Sequence, residues 1–419
     1  MPGQGLIGIF GVLLLAWAVS EDRRAGPGWR WVVAALGLQL GLALLIVRVP
    51  FVWELVGLAN RGVRAVEQAT LVGSAYMFGY LGGAELPFAM KPGVEAPVVI
   101  AFQILPLVIV FSALSALLWH WGVLRWLVRG FGWALQRSLG VSGVVGLSGG
   151  ANLFLGVVES PLVIRAWLGR MSRAELFSVM VLAMATISGA ILVLYAQTLA
   201  KTVPDAVVHM ISASVISLPA ALLVARLMVP GAEGRQMDGD SGEPGLRYEG
   251  SIDAIIKGTM DGIQLFLAVI GVIIVVFALV ALVDGMLAAL PLVDGEPLRV
   301  KRVFGWVFAP VMWGLGVPWD QATVAGSLMG TKAILNEYVA YLELAALPAG
   351  TLDARSLLIV TYALCGVANL ASVGLLVSTI GTLAPERRAE VAGLGMKSWV
   401  AGNCASMMTG AMIGLVSRV

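Results

Sequence analysis

The chain has 419 residues, 59% of them hydrophobic and 12% charged, with a formal net charge of +2 and a mean hydropathy of +0.92. That balance excludes a water-soluble globular domain and predicts an all-α polytopic membrane protein. The near-neutral charge predicts no nucleic-acid partner, and Cys365 and Cys404, both in apolar stretches, imply neither a disulfide framework nor a metal cluster.

Apolar stretches long enough for roughly 30 Å of hydrocarbon recur along the whole length, so residues 1–419 read as a single membrane domain in contact with the lipid bilayer. Helix 1 is expected from about Gly5 to Val19; no basic residue precedes it, so it reads as a retained helix rather than a signal peptide. The connector after it carries Arg23, Arg24 and Arg30, which the positive-inside rule places in the cytoplasm, with the N-terminus outside. Helix 2 runs from Val32 to about Val52, and residues 54–68 follow as an amphipathic segment expected to lie along an interface. Helix 3, Val98–Leu118, returns inward, and Arg125, Arg129 and Arg137 alternate with Trp126, Leu127, Phe131 and Trp133 in a second interfacial helix. These elements make up an N-terminal part, 1–141.

Residues 142–229 hold a re-entrant hairpin and helices 4 and 5. The hairpin centres on GANLFLGVVESPLVIR, residues 150–165, where Glu159 and Pro161 interrupt apolar arms too short to span, and Arg165, Arg170 and Arg173 mark its cytoplasmic exit. A carboxylate in hydrocarbon costs about 2.5 to 3.5 kcal/mol on insertion scales, so Glu159 is expected to face a cavity and to be functional. Helix 4, Leu176–Leu199, carries Thr186, Ser188 and Gly189 at its centre, which predicts local unwinding. Helix 5, Val207–Val229, leads to the polar connector 230–251, expected to be flexible and cytoplasmic.

Residues 252–419 supply helix 6, Leu265–Leu290, then a second re-entrant hairpin from Phe304 to about Leu344, marked by Pro310, Gly314, Gly316, Pro318, Gly326 and Gly330. Helix 7, Leu357–Leu383, has CGVANLASVG at its middle, and helix 8, Val391–Val416, returns the C-terminus to the outside. Arg299, Lys301 and Arg302 fall on the expected outer face, against the charge rule. The sum is about eight transmembrane helices plus two re-entrant hairpins in an inverted repeat, the usual build of secondary transporters.

Polar residues in the spanning core cluster as Asn152 with Glu159, Thr186 with Ser188, Asn336 with Glu337, and Asn369 with Ser372. Carboxylates and amides suit a solute rich in hydroxyl groups such as a sugar, while Asn152, Thr186 and freed carbonyls of Leu155 or Ile187 suit a hard monovalent cation. The plainer readings are interhelical glue for Asn152 and Ser188 and a structural ion pair of Glu337 with Lys332. Glu343 reads as structural or interfacial, and His120 and His209, near helix ends, as packed or solvated.

Over nearly all its length the chain resembles the concentrative nucleoside transporter family of the bacterial, sodium-coupled type. The motifs are SAYMFGY (74–80), ILPLVIVF (104–111), ANLFLGVVESPLV (151–163), MATISG (184–189), GSLMGTKAILNEYVAYLEL (326–344) and TYALCGVANLASVG (361–374). The resemblance implies a homotrimer of the inner membrane whose protomers each import nucleosides with Na+ by an elevator-like movement of the hairpin-containing part. It implies ribose ligands at Glu159, Glu337, Asn369 and Ser372 with Asn336 adjoining, and a sodium site at Asn152, Thr186 and the carbonyls of Leu155 and Ile187. Gly156, Val157, Val158, Ile191 and Val367 would line the nucleobase pocket. There the chain departs from the family, with valines in place of the polar pair before Glu159 and of the aromatic residue after CG. Ribose recognition should survive while base recognition broadens or shifts to a less polar aglycone. Proton coupling through one of the carboxylates and a non-transporting receptor are the alternatives. An enzyme is not expected, for no nucleophile and base pair or phosphate-binding glycine loop is found.

Overall fold

The computed structural model describes residues 3–89, 98–231, 246–293 and 295–417, and among these the fold is helical with no β-strand. Helices α1 (Gln4–Ala18) and α2 (Trp29–Arg48) match the first two expected helices. Pro50 opens α3 (Pro50–Phe78), where its missing N–H costs nothing, and the helix carries the expected amphipathic segment on to Phe78. The third expected helix is split by Pro106 into α4 (Ile100–Gln103) and α5 (Pro106–His120). Amphipathic α6 (Val123–Leu139) buries Leu124, Val128, Leu135 and Leu139 on one face and exposes Trp126 and Trp133 on the other.

The first hairpin is α7 (Gly143–Asn152), a non-helical tip, and α8 (Glu159–Val163). Ser172 and Glu175 form a capping box that starts α9 (Arg173–Ala185), and the expected unwinding separates it from α10 (Gly189–Thr198). Helix α11 (Ala206–Met228) follows; most of the polar connector, residues 232–245, lies outside the described residues. Helix α12 (Ser251–Leu287) begins at Ser251 rather than at the expected Leu265. Its polar first turns are helical, supported by the i,i+4 pair of Lys257 with Asp253 at 2.9 Å.

The expected second hairpin divides in two. Gly316, with φ of 116°, and Pro318 end α13 (Val300–Leu315) and turn the chain into α14 (Trp319–Gly330). The hairpin proper is α14, a π-helical turn over Thr331–Leu335, and α15 (Glu337–Ala345). Asp353 caps α16 (Ala354–Leu364), the break at 365–369 separates it from α17 (Leu370–Leu383), and α18 (Arg388–Val416) closes the fold.

The two halves repeat one order: two packed helices (α6 on α7, α13 on α14), a tip, a short helix, a broken helix (α9 and α10, α16 and α17) and a long helix (α11, α18). Helices α11 and α18 pack on each other, and both pack on α9 and α16, making the core. By length and composition, six helices among the described residues can cross a membrane: α2, the α4–α5 unit, the α9–α10 unit, α11, α12 and the α18 unit. The remaining expected spans correspond to α1 and the broken pair α16 and α17, which are shorter.

Charges gather at one end of the bundle. Glu21, between α1 and α2, accepts hydrogen bonds from Arg173 Nη2 at 2.8 Å and Lys397 Nζ at 2.6 Å. Arg387 pairs with Glu390 at 2.6 Å and donates to the carbonyls of Leu168 and Met171 at the hairpin exit. At the opposite end Arg48 donates to Val416 O at 2.8 Å and Gln4 to Trp313 O at 2.7 Å. Two members of the basic cluster that conflicted with the charge rule are locally satisfied, Lys301 by Glu343 at 3.0 Å and Arg302 by the carbonyls of Val293, Glu296 and Pro297.

Away from the core, α12 lies along α5 through two glycines four residues apart. A methyl group on Gly258 would lie 2.7 Å from Ala116 Cβ, and one on Gly262 would lie 2.6 Å from Ile109 Cα. Small residues at this spacing let membrane helices approach closely.

Candidate functional site

Three backbone breaks meet in the core. The N–H of Gly189, at the break of the first broken helix, donates to Phe154 O in the first hairpin tip at 3.3 Å. Gly366, in the other broken helix, sits against the carbonyls of Met184 and Ala185, each 3.1 Å from where a Cβ would stand. Helix α8 and the π-turn of the second hairpin both pack on α17. The hairpin tips and both broken helices thus converge, as expected for elements whose backbone groups must be satisfied by protein at membrane depth.

Glu337, 5% exposed, opens α15. Its Oε1 accepts the Tyr195 hydroxyl at 2.6 Å and its Oε2 accepts Asn369 Nδ2. Asn369 is used twice, since its Oδ1 also accepts the N–H of Ser372 at 2.8 Å and caps α17. Asn336 adjoins the site as the cap of α15, accepting from the N–H of Tyr338 at 2.8 Å. Lys332 does not form the considered ion pair with Glu337; its Nζ donates to Asn403 Oδ1 and Ser406 Oγ, each at 2.8 Å.

Glu159 is half-buried at the first turn of α8, its carboxylate folded over Gly156, where a methyl group would lie 2.3 Å from Oε2. Around it Val157 and Ile191 are half-buried, Val158 is exposed and Val367 is buried. The apolar lining at these positions offers no side-chain donor or acceptor to a base edge.

The donor set for a monovalent cation also survives folding. Asn152 Oδ1 accepts Ser160 Oγ at 2.6 Å, and Thr186 Oγ1 donates to Leu182 O at 2.9 Å while keeping its lone pairs. Leu155 and Ile187 are buried outside helices, and among the described residues their carbonyls accept no backbone hydrogen bond. Buried carbonyls without partners are costly unless something else binds them, and oxygen donors of this kind fit a hard cation.

Residues 209–414 match the family described as the Na+ dependent nucleoside transporter C-terminus, residues 7–81 match its N-terminus, and residues 101–202 match a nucleoside recognition family. An uncharacterized transporter of Haemophilus influenzae is 34% identical, with 98% of this chain and 97% of that protein covered. The chain belongs to the sodium-dependent nucleoside transporter family. Nucleoside permease NupC of Helicobacter pylori is 32% identical over 98% of this chain and 96% of its own. Among solved structures, CNTnw in an inward-facing substrate-bound state is 33% identical, with a TM-score of 0.87 over 99% of this chain and 98% of that one. A doubly substituted CNTnw in an outward-facing state gives 0.88 at 32% identity over 99% of both chains, so the likeness is one of fold rather than of one conformational state. The relatives are transporters and permeases, not enzymes, and Na+ is the coupling ion of the family.

Two partners of the site escape sequence reading. Tyr195 lies one helical turn beyond Ile191, on the same face of α10, and stacks on Tyr338 with centroids 5.6 Å apart. That spacing was the available signal. Ser160, 1% exposed, directly follows Glu159 and holds Asn152.

Proposed function

We propose that this chain is a sodium-coupled symporter that imports nucleosides across the cell inner membrane. Ribose is held by Glu159, Glu337, Asn369 and Ser372, with Asn336 fixing the start of α15. The nucleobase rests against Gly156, Val157, Val158, Ile191 and Val367. The observation that carries the reading is the pairing of Glu337 with Asn369 where hairpin and broken helix meet, in a chain of this family. A carboxylate and an amide side by side offer acceptors and donors to vicinal hydroxyls.

Asn152, Thr186 and the carbonyls of Leu155 and Ile187 hold the sodium ion. When bound it supplies a fixed positive charge near the hairpin tip. The Ser160 hydroxyl, in the first turn of α8, donates to Asn152 Oδ1, and the N–H of Gly189 joins the broken helix to the tip through Phe154 O.

The working form is a homotrimer in which the hairpin-containing part moves against α5 and α12. The long apolar face of α12 that this chain leaves uncovered supports such an assembly; only Ala254, Gly258 and Gly262 of that helix are buried. The end carrying Glu21, Arg173 and Arg387 faces the cytoplasm, which places both termini outside.

The test is uptake of radiolabelled uridine, adenosine and ribose into proteoliposomes under an inward sodium gradient, with potassium as the control at fixed pH. Sodium-driven accumulation of a nucleoside is expected. Accumulation driven only by a proton gradient would replace sodium with proton coupling, and no uptake by folded protein would overturn the transport reading.

A further inference from the structure

Lys332 is 0% exposed, and a membrane protein has little reason to bury an ammonium group this deeply unless it acts there. Both of its observed bonds run to α18, to Asn403 Oδ1 and Ser406 Oγ. Asn403 does not end the path: its Nδ2 donates to Ala368 O at 2.9 Å. Ala368 precedes Asn369 in the break of the second broken helix, and the Asn369 amide donates to Glu337, five positions after Lys332. The bonds therefore close a ring that leaves the second hairpin at Lys332, crosses α18, and returns to the hairpin at Glu337 through Asn369. A second tie grips the same turn, with Trp399 Nε1 of α18 donating to Ala333 O at 2.7 Å.

We propose that Lys332 is a positioning residue for ribose recognition: through Asn403 it sets the backbone at Ala368, and so the place and orientation of Asn369 relative to Glu337. The inference rests on the transport reading given above. The ammonium is suited to this because it donates only, so Asn403 must present its oxygen to Lys332 and its amide nitrogen to Ala368. That fixes the amide orientation of Asn403 and with it the register of the break. The π-helical turn serves the same end, since its extra residue displaces Lys332 from an α-helical path ahead of Glu337. No contact between Lys332 and substrate is involved.

The test compares uridine with 2′,3′-dideoxyuridine, which lacks the vicinal 2′- and 3′-hydroxyls, as substrates of the full-length protein in proteoliposomes. Lys332→Met keeps the length of the side chain and removes the donors. It is expected to raise the KM for uridine about tenfold or more, the scale of a displaced charge-assisted hydrogen bond, and to change the KM for the dideoxy analogue less than about twofold. Asn403→Leu is expected to give the same loss of discrimination, and the double variant no further loss, because one path is broken once. Equal losses for both substrates in folded protein would reduce Lys332 to a structural role and overturn the proposal. Should Lys332→Met fail to fold, Asn403→Leu, which breaks the same path from the α18 side, must by itself still narrow the ratio of the two KM values; an unchanged ratio overturns the proposal as well. Failure of the unsubstituted protein to prefer uridine over its dideoxy analogue is a different result, and it would remove the ribose reading itself.

Discussion

Gly156→Ala separates the use of Glu159 from the stability of the fold. The added methyl group would stand 2.3 Å from Glu159 Oε2 and 3.3 Å from its Cδ, where ordinary contact begins at 3.4 Å, so the carboxylate must retreat by about 1 Å. No backbone atom obstructs the methyl group, and the obstacle is the end of a flexible side chain. The fold should therefore lose no more than the roughly 0.5 kcal/mol of an ordinary peripheral substitution. A hydrogen bond from a ribose hydroxyl to a carboxylate contributes about 1.5 to 3 kcal/mol, so displacing its acceptor should raise the KM for uridine about ten- to a hundredfold. The assay is initial-rate uptake under a sodium gradient, with the melting temperature of the purified variant measured alongside. An unchanged KM would refute the assignment of Glu159 in its observed rotamer; a large fall in melting temperature would refute the claim that the clash is local.

Restoring side-chain polarity to the base pocket with Val157→Gln and Val158→Thr should raise the affinity for uridine, read as a lower KM; unchanged uridine binding would sink the account of the valines. Gly262→Val should force α12 off α5, because the new side chain meets Ile109 Cα rather than a movable group. A loss of about 1 to 3 kcal/mol is expected, as for overpacked cores, and a melting temperature equal to that of the unsubstituted protein would contradict the close approach. Glu21 titrates at about 2 because of its hydrogen bond with Arg173, helped by Lys397, against roughly 4.3 for an ordinary glutamate. A carboxylate lowered by folding stabilises the native state above its unfolded pKa and loses that contribution as pH falls toward its folded value. The melting temperature of Glu21→Gln should thus lie below that of the unsubstituted protein at pH 7, and the gap should close as pH falls from about 5 toward 2. A gap independent of pH would show that the carboxylate's charge is not what joins these segments.

What the sequence disclosed were interruptions. Thr186 and Ser188 within an apolar run, and Asn369 within CGVANLASVG, marked the two broken helices because polar and small residues are hard to explain at mid-membrane otherwise. The first hairpin was legible for the same reason, its arms being too short to span. Boundaries failed where the same residue types mean different things. Pro310 lies inside α13 while Pro318 and Gly316 end it, so a run of glycines and prolines looked like one hairpin when it was a helix followed by a hairpin. The start of α12 was missed because Asp253, Lys257 and Asp261 resemble a connector, although the spacing of the first two already offered a helical pair. The Tyr195 bond to Glu337 joins residues 142 apart in the chain, and the Lys332 bond to Asn403 joins residues 71 apart. The spacing from Ile191 put Tyr195 on the site's face, but no local pattern names its partner or that of Lys332, since both pairings exist only once the helices have packed.

The 37 residues of α12 rise about 55 Å, well beyond the roughly 30 Å of hydrocarbon in a bilayer. Its apolar length from Leu265 to Leu287 alone rises about 35 Å, with Leu282 and Met286 about two-thirds exposed at 65% and 66%. A helix longer than the hydrocarbon is accommodated by tilting, by kinking or by local thickening of the bilayer, at a fraction of a kcal/mol per Å of mismatch. Its two glycines hold it at close contact with α5, so α12 and α5 meet that mismatch as a pair.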